Sequence, residues 1–289
     1  MARAEPEGVG PARPAPRFEL PDPPLLAAGA LGGPFVIAFL TPLRNAMSNG
    51  AQDRAASLIS LYAKALGSGH SSGAARLRVA FTGALVSAGP ACPQWCMVGP
   101  FFHLLHGFMP TPLAMLGTAT VETLITYGSQ SRNSQMAHNV QSPKASVNLF
   151  PAYRLWGPGA SFFVMRNWCG MSGIRWLSPM LQSQMQPLLP SGPREVVSDL
   201  LASMVTCLVS APLNVAWTYT VTSPGLAAAS PQVRCRELAK HLGRTYFAGG
   251  ADSRRLMARD LGARCAYIAC CFSTFSGIER MMLAWWPQG

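Results

Sequence analysis

Arg166 and Asn167 stand side by side in the otherwise apolar run from Leu155 to Ile174. A charge inside such a run costs on the order of 2.5 to 3.5 kcal/mol on membrane-insertion scales, so the guanidinium is expected to face a water-filled cavity or a partner carboxylate. Arg264 and Cys265 precede a later apolar run in the same way, and Arg264 is either a second cavity cation or the last basic residue of the loop before it. Two arginines converging on one cavity favour an anion, because guanidinium donors match carboxylate and phosphate geometry. Glu122, the one ionised residue between positions 79 and 131, either counters Arg166 or meets a cationic group of a ligand. His103 and His106 suit an interfacial rim, since no third metal ligand is evident. The eight cysteines fall mostly in apolar stretches, lack zinc-site spacing, and read as small packing residues. With no Ser-His-Asp set, phosphate loop or dinucleotide fingerprint, the sequence points to neither catalysis nor a bound cofactor or metal.

The elements that position these groups follow from hydropathy. The 289 residues are 49% hydrophobic and 12% charged, with a mean hydropathy of +0.20. Soluble domains carry about a quarter charged residues, so the chain is too apolar for an ordinary soluble enzyme. A bilayer core takes about 20 mainly apolar residues. No charge occurs between Asp22 and Arg44 or between Asp199 and Arg234; the stretch 79–131, broken at Gly107, Met109, Pro110 and Pro112, makes a hairpin of two spans. Weaker runs flank Arg166 and cover 265–278, which brings the count to six helices. Pro42, Tyr127 and Pro212 each close an apolar run at an even spacing of 85 residues, and Gly32, Gly117 and Ala202 lie ten residues before them. Such small residues let helices approach closely, and an even register marks an internal repeat. Each unit passes through a polar loop into a second helix, introduced by Phe81-Thr82-Gly83, Leu155-Trp156-Gly157 and Phe247-Ala248-Gly249. The organisation is a disordered tail at 1–24, repeats at 25–108, 109–190 and 191–283, and a short tail at 284–289. The first tail fits neither an acid-poor presequence nor a secretory signal.

Charge orients these units. The loops inside them, 44–78, 132–154 and 218–263, hold fifteen basic and four acidic side chains, the whole net charge of +11. The links between units are uncharged around Met109 to Pro112 and balanced around Arg175 to Asp199. This positive-inside asymmetry puts both termini on the face opposite the basic loops, and no nucleic-acid partner is expected. In the first loop Ala55, Leu58, Ile59, Tyr62 and Leu66 form one helical stripe, expected to lie on the membrane surface.

Three two-helix units, a surface helix in each, basic inner loops and a proline late in the odd helices resemble the mitochondrial carrier family over residues 25–283. Pro42-Leu43-Arg44 and Pro212-Leu213-Asn214 resemble the family's P-x-[DE]-x-x-[KR] motif. Gly157, with Arg166-Asn167-Trp168-Cys169-Gly170 and Ile174-Arg175-Trp176, is similar to its G-x(n)-R-N-x-x-G-x-x-I-R-F run. The resemblance implies an all-α membrane fold, a six-transmembrane-helix bundle of three pseudo-threefold repeats with kinks at Pro42, Tyr127 and Pro212. It implies alternating-access transport of a small anionic metabolite across the mitochondrial inner membrane by a monomer without a cofactor, in contact with membrane lipid such as cardiolipin. Substrate contacts are implied at Arg166, Asn167 and Arg264, with Glu122 near mid-depth and the matching level of the second helix near Pro90. The departures concern the matrix gate. Its acidic positions are Arg44, Ser129 and Asn214 and its basic positions Met47, Arg132 and Trp217, so no acid-base pair survives. Hydrogen bonds and packing among Ser129, Asn214, Trp217 and Met47 are expected instead, with no carboxylate pairing to Arg132. The same loss leaves room for a non-transporting adaptor or scaffold with a carrier-like fold, placed in the outer membrane; an accidental repeat register would instead mean an unrelated six-helix membrane protein.

Overall fold

The computed structural model describes residues 22–286, and all regular structure among them is helical. Helix α1 (Pro23–Phe39) carries a π-turn over Ala28–Gly32 and meets α2 (Thr41–Gly50) at a 52° bend. Pro42 sits in the first turn of α2, where a helix has no use for the missing N–H. Two short helices, α3 (Leu58–Ala65) and α4 (Gly73–Ala80), follow, capped by Ser57 and Ser72. Then come α5 (Ala84–His106), α6 (Thr111–Gln141) and α7 (Ala160–Ser172), the last running through a π-turn at Gly173–Leu177 into α8 (Ser178–Met185). The chain closes with α9 (Ser191–Thr222), α10 (Pro224–Ala228), α11 (Pro231–Leu242) and α12 (Gly250–Trp285).

The long helices pack in chain order, α1 on α5, α5 on α6, α6 on α7, α7 on α9 and α9 on α12, and α12 returns to α1. Additional contacts join α2, α6 and α9 to one another in all three pairs. Arg259 fastens α12 to the end of α2, its guanidinium donating to the carbonyls of Gly50, Asp53 and Ala56 at 2.8, 2.7 and 3.0 Å. A cation there complements the negative end of the helix dipole. Gly32 and Gly117 stand at helix crossings: a Cβ would come within 2.9 Å of Ile278 on α12 at the first and 2.8 Å of Leu105 on α5 at the second. Ala202 is fully buried at the corresponding place on α9.

Two described helices, α9 and α12, are long and apolar enough to cross a membrane, or three elements if α1 and α2 together form one bent span. The count is lower than the six expected. Helix α5, with Pro90, Pro93, Pro100 and Gln94, and α6, rich in serine, threonine and amides, have the length without the apolarity. Where the apolar residues point is more telling. On α9, Leu201, Met204, Val205, Leu208 and Val209 form a helical stripe that is exposed, while Ser203, Cys207, Ser210 and Asn214 turn inward. An outward apolar stripe over a polar interior is the arrangement of a membrane protein, since water would not tolerate it. Buried threonines are satisfied within their own helices, Thr118, Thr123 and Thr126 donating to Ala114, Ala119 and Glu122 carbonyls at 2.8, 2.7 and 2.8 Å. That is the available solution where no water reaches.

Several expectations need correction. Pro42 coincides with a break between helices, Tyr127 lies in a continuous helix, and Pro212 lies inside α9, where a proline bends a helix without ending it. Tyr127 keeps its backbone donor, and a proline can be carried inside a long packed helix at the loss of one hydrogen bond. On α3 the inward stripe is Leu58, Leu61, Tyr62 and Ala65, whereas Ile59 and Leu66 are exposed. Gly83 and Gly159 adopt the same left-handed conformation at the starts of α5 and α7 (φ +79° in both), so Gly159 rather than Gly157 matches Gly83. Most of the 1–24 tail lies outside the described residues, Pro23 and Pro24 already belong to α1, and Ala284 and Trp285 belong to α12.

Candidate binding cavity

Each of the long columns contributes to one cavity of about 390 Å³, with Arg44 from α2, Gln94 from α5, Glu122 from α6, Arg166 from α7, Asn214 from α9 and Arg264 from α12. Arg166 is 7% exposed. Its Nε and Nη2 donate to Asn167 Oδ1 at 3.1 and 2.8 Å, and Nη1 donates to Asn214 Oδ1 at 3.1 Å. The guanidinium carbon sits 3.9 Å from the Phe163 ring centre and 5.1 Å from that of Trp217, so two aromatic faces hold the cation in place. Among the described residues no carboxylate is within ion-pair distance of it. Among the described residues the ion pairs are Asp53–Lys64, Glu237–Lys240, Asp252–Arg255 and Asp260–Arg259, and none includes Arg44, Arg132, Arg166 or Arg264. Glu122 instead accepts from Gln94 Nε2 at 2.7 Å.

Arg264 lies well inside α12, 8% exposed, with its guanidinium 5.8 Å from the Tyr267 ring centre and Nε without a protein acceptor. Arg44 is 5% exposed; Nη2 donates to Asn133 Oδ1 at 3.0 Å, and Nε and Nη1 have no protein acceptor. Arg175 also lines the cavity, over the Phe102 ring at 4.9 Å. Pro90 does not line it. Gln94, one helical turn further along α5, does. Near Arg175, Phe102 stacks with His106 at 5.6 Å, and His106 pairs with Thr111 Oγ1 at 3.0 Å. Among the described residues no group of three or more His, Cys, Asp or Glu side chains could hold a metal ion.

Where α2, α6 and α9 meet, neutral amides and hydroxyls join them beside the Arg44–Asn133 bond. Asn133 Nδ2 donates to Asn45 Oδ1 at 3.0 Å and the Ser48 and Ser134 hydroxyls lie 3.1 Å apart, joining α2 to α6. Gln52 Nε2 donates to Thr222 Oγ1 at 2.8 Å, joining α2 to the end of α9, and Gln135 Nε2 donates to the Val221 carbonyl at 3.0 Å, joining α6 to α9. On α2 and α6 this layer begins at the residues directly after those named for it from sequence, Asn45 after Arg44, Ser48 after Met47 and Asn133 after Arg132, and on α9 it lies four to five residues beyond Trp217. Ser129 returns its hydroxyl to the Thr126 carbonyl at 2.9 Å, and Asn214 serves Arg166. Trp217 packs edge-on to Phe163, Met47 joins the Val36, Leu40 and Tyr267 cluster, and Arg132 donates to the Phe150 carbonyl at 3.0 Å. Tyr127 is fully buried beside Phe163 and Trp217, donating to the Pro158 carbonyl at 2.7 Å, while Pro42 faces an outer apolar groove. Asn45, Ser48, Asn133, Ser134 and Gln135 carried no charge signal in the sequence; the one trace of them was polar side chains persisting past the apolar runs.

Outside the helices that could span a membrane, Lys64 bonds Asp53 at 2.8 Å and holds its carboxyl below the usual aspartate range. Asp53 Oδ1 also accepts from the Ala55 and Ala56 amides, which closes the turn before α3. No protein-family profile matches the chain, and no curated protein matches it.

Proposed function

We propose that this protein is a solute carrier with the six-helix, pseudo-threefold architecture of the mitochondrial carriers, moving a small anion by alternating access. The observation that carries the reading is the cavity between the columns, with Arg166 buried in it and met by neutral amides and aromatic faces instead of a carboxylate. A buried cation that served only the packing would be paired with an acid at contact distance; this one feels the charge of Glu122 across the cavity without touching it, which leaves the guanidinium available to an anionic ligand. The neutral layer joining α2, α6 and α9 would be the closed gate, and the cavity would open toward the other end. The mitochondrial inner membrane as location and a monomeric state rest on the family resemblance.

The test is uptake into proteoliposomes screened across carboxylates, nucleotides and phosphate. Arg166→Ala should lower uptake of the accepted anion at least about tenfold, the loss of about 1.4 kcal/mol or more of binding, while the protein still inserts and unfolds cooperatively. Wild-type rates in the variant would refute Arg166 as a binding residue. The neutral layer also favours a second reading, a carrier-like adaptor whose gate never opens. Absence of uptake for every anion tested, with a folded protein, would favour it.

A further inference from the structure

We infer that Ser142 is a phosphorylation site for a proline-directed kinase, and that its phosphate is held by Arg54 and Lys64, tying the end of α6 to the segment that follows α2. The inference concerns a groove on the side of the basic loops and does not depend on the transport reading.

Six hydroxyl residues of the chain stand directly before a proline: Thr41, Thr111, Ser142, Ser178, Ser223 and Ser230. Five of these hydroxyls are engaged. Thr41 donates to the Ile37 carbonyl, Thr111 pairs with His106, Ser178 donates to Asp199, Ser223 accepts from Gln52, and Ser230 accepts from the Val233 amide at the start of α11. At Ser142 only the backbone is bonded among the described residues, its amide donating to the His138 carbonyl at 2.8 Å and its carbonyl accepting from Ala145 at 3.0 Å. The proline that follows keeps Ser142 out of the helical region, with φ −129° and ψ 65°, so α6 ends there. Pro143, Lys144, Ala145 and Ser146 are all exposed. An unengaged hydroxyl on a non-helical residue, followed by an exposed proline, is what an enzyme that selects serine by the next residue requires.

The surroundings set where the phosphate goes. Ser142 lines a groove of about 610 Å³ with Arg54, Lys64, His70 and His138, and Asp53 is the one acid among the described residues of its wall. Asp53 is already served by the Lys64 ammonium and by the Ala55 and Ala56 amides. Arg54, Lys64 and His70 are exposed and free to turn toward a new anion, Arg54 giving one nitrogen to the Arg244 carbonyl at 2.8 Å. A phosphoserine carries a charge of about −1.5 to −2 at pH 7 and three acceptor oxygens, and a guanidinium fork matches phosphate geometry. The negative end of the α6 dipole opposes the phosphate, but less strongly than a charge-assisted bond to arginine favours it. The net effect is a clamp. It lies beside Gln52, which lines the same groove and joins α2 to α9, so it adds an ionic contact next to a closure made almost entirely of neutral groups. In the transfer, Ser142 Oγ bonds to the γ-phosphorus of ATP, the bond from that phosphorus to the β-phosphate oxygen breaks and ADP leaves, and the hydroxyl proton passes to the kinase's catalytic base.

The experiment treats the full chain, folded in detergent, with a mitogen-activated protein kinase and ATP, locates the phosphate by peptide mass spectrometry and then follows thermal unfolding. Ser142 should take the phosphate in preference to the five engaged hydroxyls, and Ser142→Ala should lose it while unfolding as the wild type does. The phosphorylated protein should unfold about 2 °C or more above the unmodified one at low salt, a gain that disappears in about 1 M salt, where the Debye length is about 3 Å. Arg54→Ala should still accept the phosphate at Ser142 and lose at least half of the gain. The inference is overturned if the folded chain takes no phosphate at Ser142, if the engaged hydroxyls take it equally, if phosphorylation leaves the unfolding temperature unchanged or lowers it, or if the full gain survives in Arg54→Ala. Should Arg54→Ala fail to fold, the salt dependence of the phosphorylated wild type decides alone, and a gain indifferent to salt sinks the clamp.

Discussion

His241 ends the charged helix α11 with its ring 3.8 Å from that of Tyr219 and nearly parallel to it, at 13°. Burial there, with the Arg54 cation nearby, pushes its pKa down to about 4. The folded value lies below the ordinary one near 6.5, so the native state holds the neutral ring and the unfolded chain takes up the proton first. Its contribution to stability is therefore complete above about pH 6.5 and is lost as pH falls toward about 4. Thermal unfolding in detergent should show this loss, and His241→Phe, which keeps the stack and removes the proton site, should flatten the profile over that window. Arg166 shows what a residue alone can reveal: its cost in an apolar run called for a cavity or a partner carboxylate, and it lines a cavity. Arg44 announced much less. It stands where an apolar run ends, so a loop cation and a cavity cation look identical in sequence, and only its burial and unpaired nitrogens separate them.

Helix starts set the register of the second helix in each unit. Gly83 and Gly159 both take φ of +79°, which disfavours any residue with a Cβ by about 1–2 kcal/mol. At Gly159 the added carbon would meet the Thr220 side chain at 3.2 Å, which can shift, but at Gly83 it would run into Asn133 Oδ1, a member of the neutral layer. Gly83→Ala should thus lower the unfolding temperature more than Gly159→Ala, measured side by side in the same detergent. The sequence matched Gly83 with Gly157 because Phe81-Thr82-Gly83 and Leu155-Trp156-Gly157 look alike as tripeptides, which does not reveal which glycine takes the left-handed conformation. The stripe on α3 went astray similarly. Ile59 and Leu66 share the apolar character of Leu58 and Leu61, and with lipid on one side and protein on the other, apolarity no longer tells which face is buried.

For the whole molecule, the even register of 85 residues picked out α2, α6 and α9, and these helices meet, with Tyr127 fully buried and Pro42 on an outer groove. What holds them together was illegible, because amides and hydroxyls carry no charge and repel no apolar neighbour enough to stand out. Their geometry allows a direct test of opening. With Ser48 and Ser134 hydroxyls 3.1 Å apart, the double variant Ser48→Cys, Ser134→Cys brings two thiols within disulfide range across α2 and α6. Oxidation should stop uptake and reduction should restore it; undiminished uptake in the crosslinked protein would mean that this junction never separates during transport. The makeup of the junction has one more consequence. Attraction between full charges weakens as electrolyte is added, with a Debye length of about 10 Å at 0.1 M, whereas bonds between uncharged dipoles have almost no such dependence. Apart from the Arg44–Asn133 bond, a closure made from Asn45, Asn133, Ser48, Ser134, Gln52 and Gln135 would have nearly the same strength at any ionic strength on either side of the membrane.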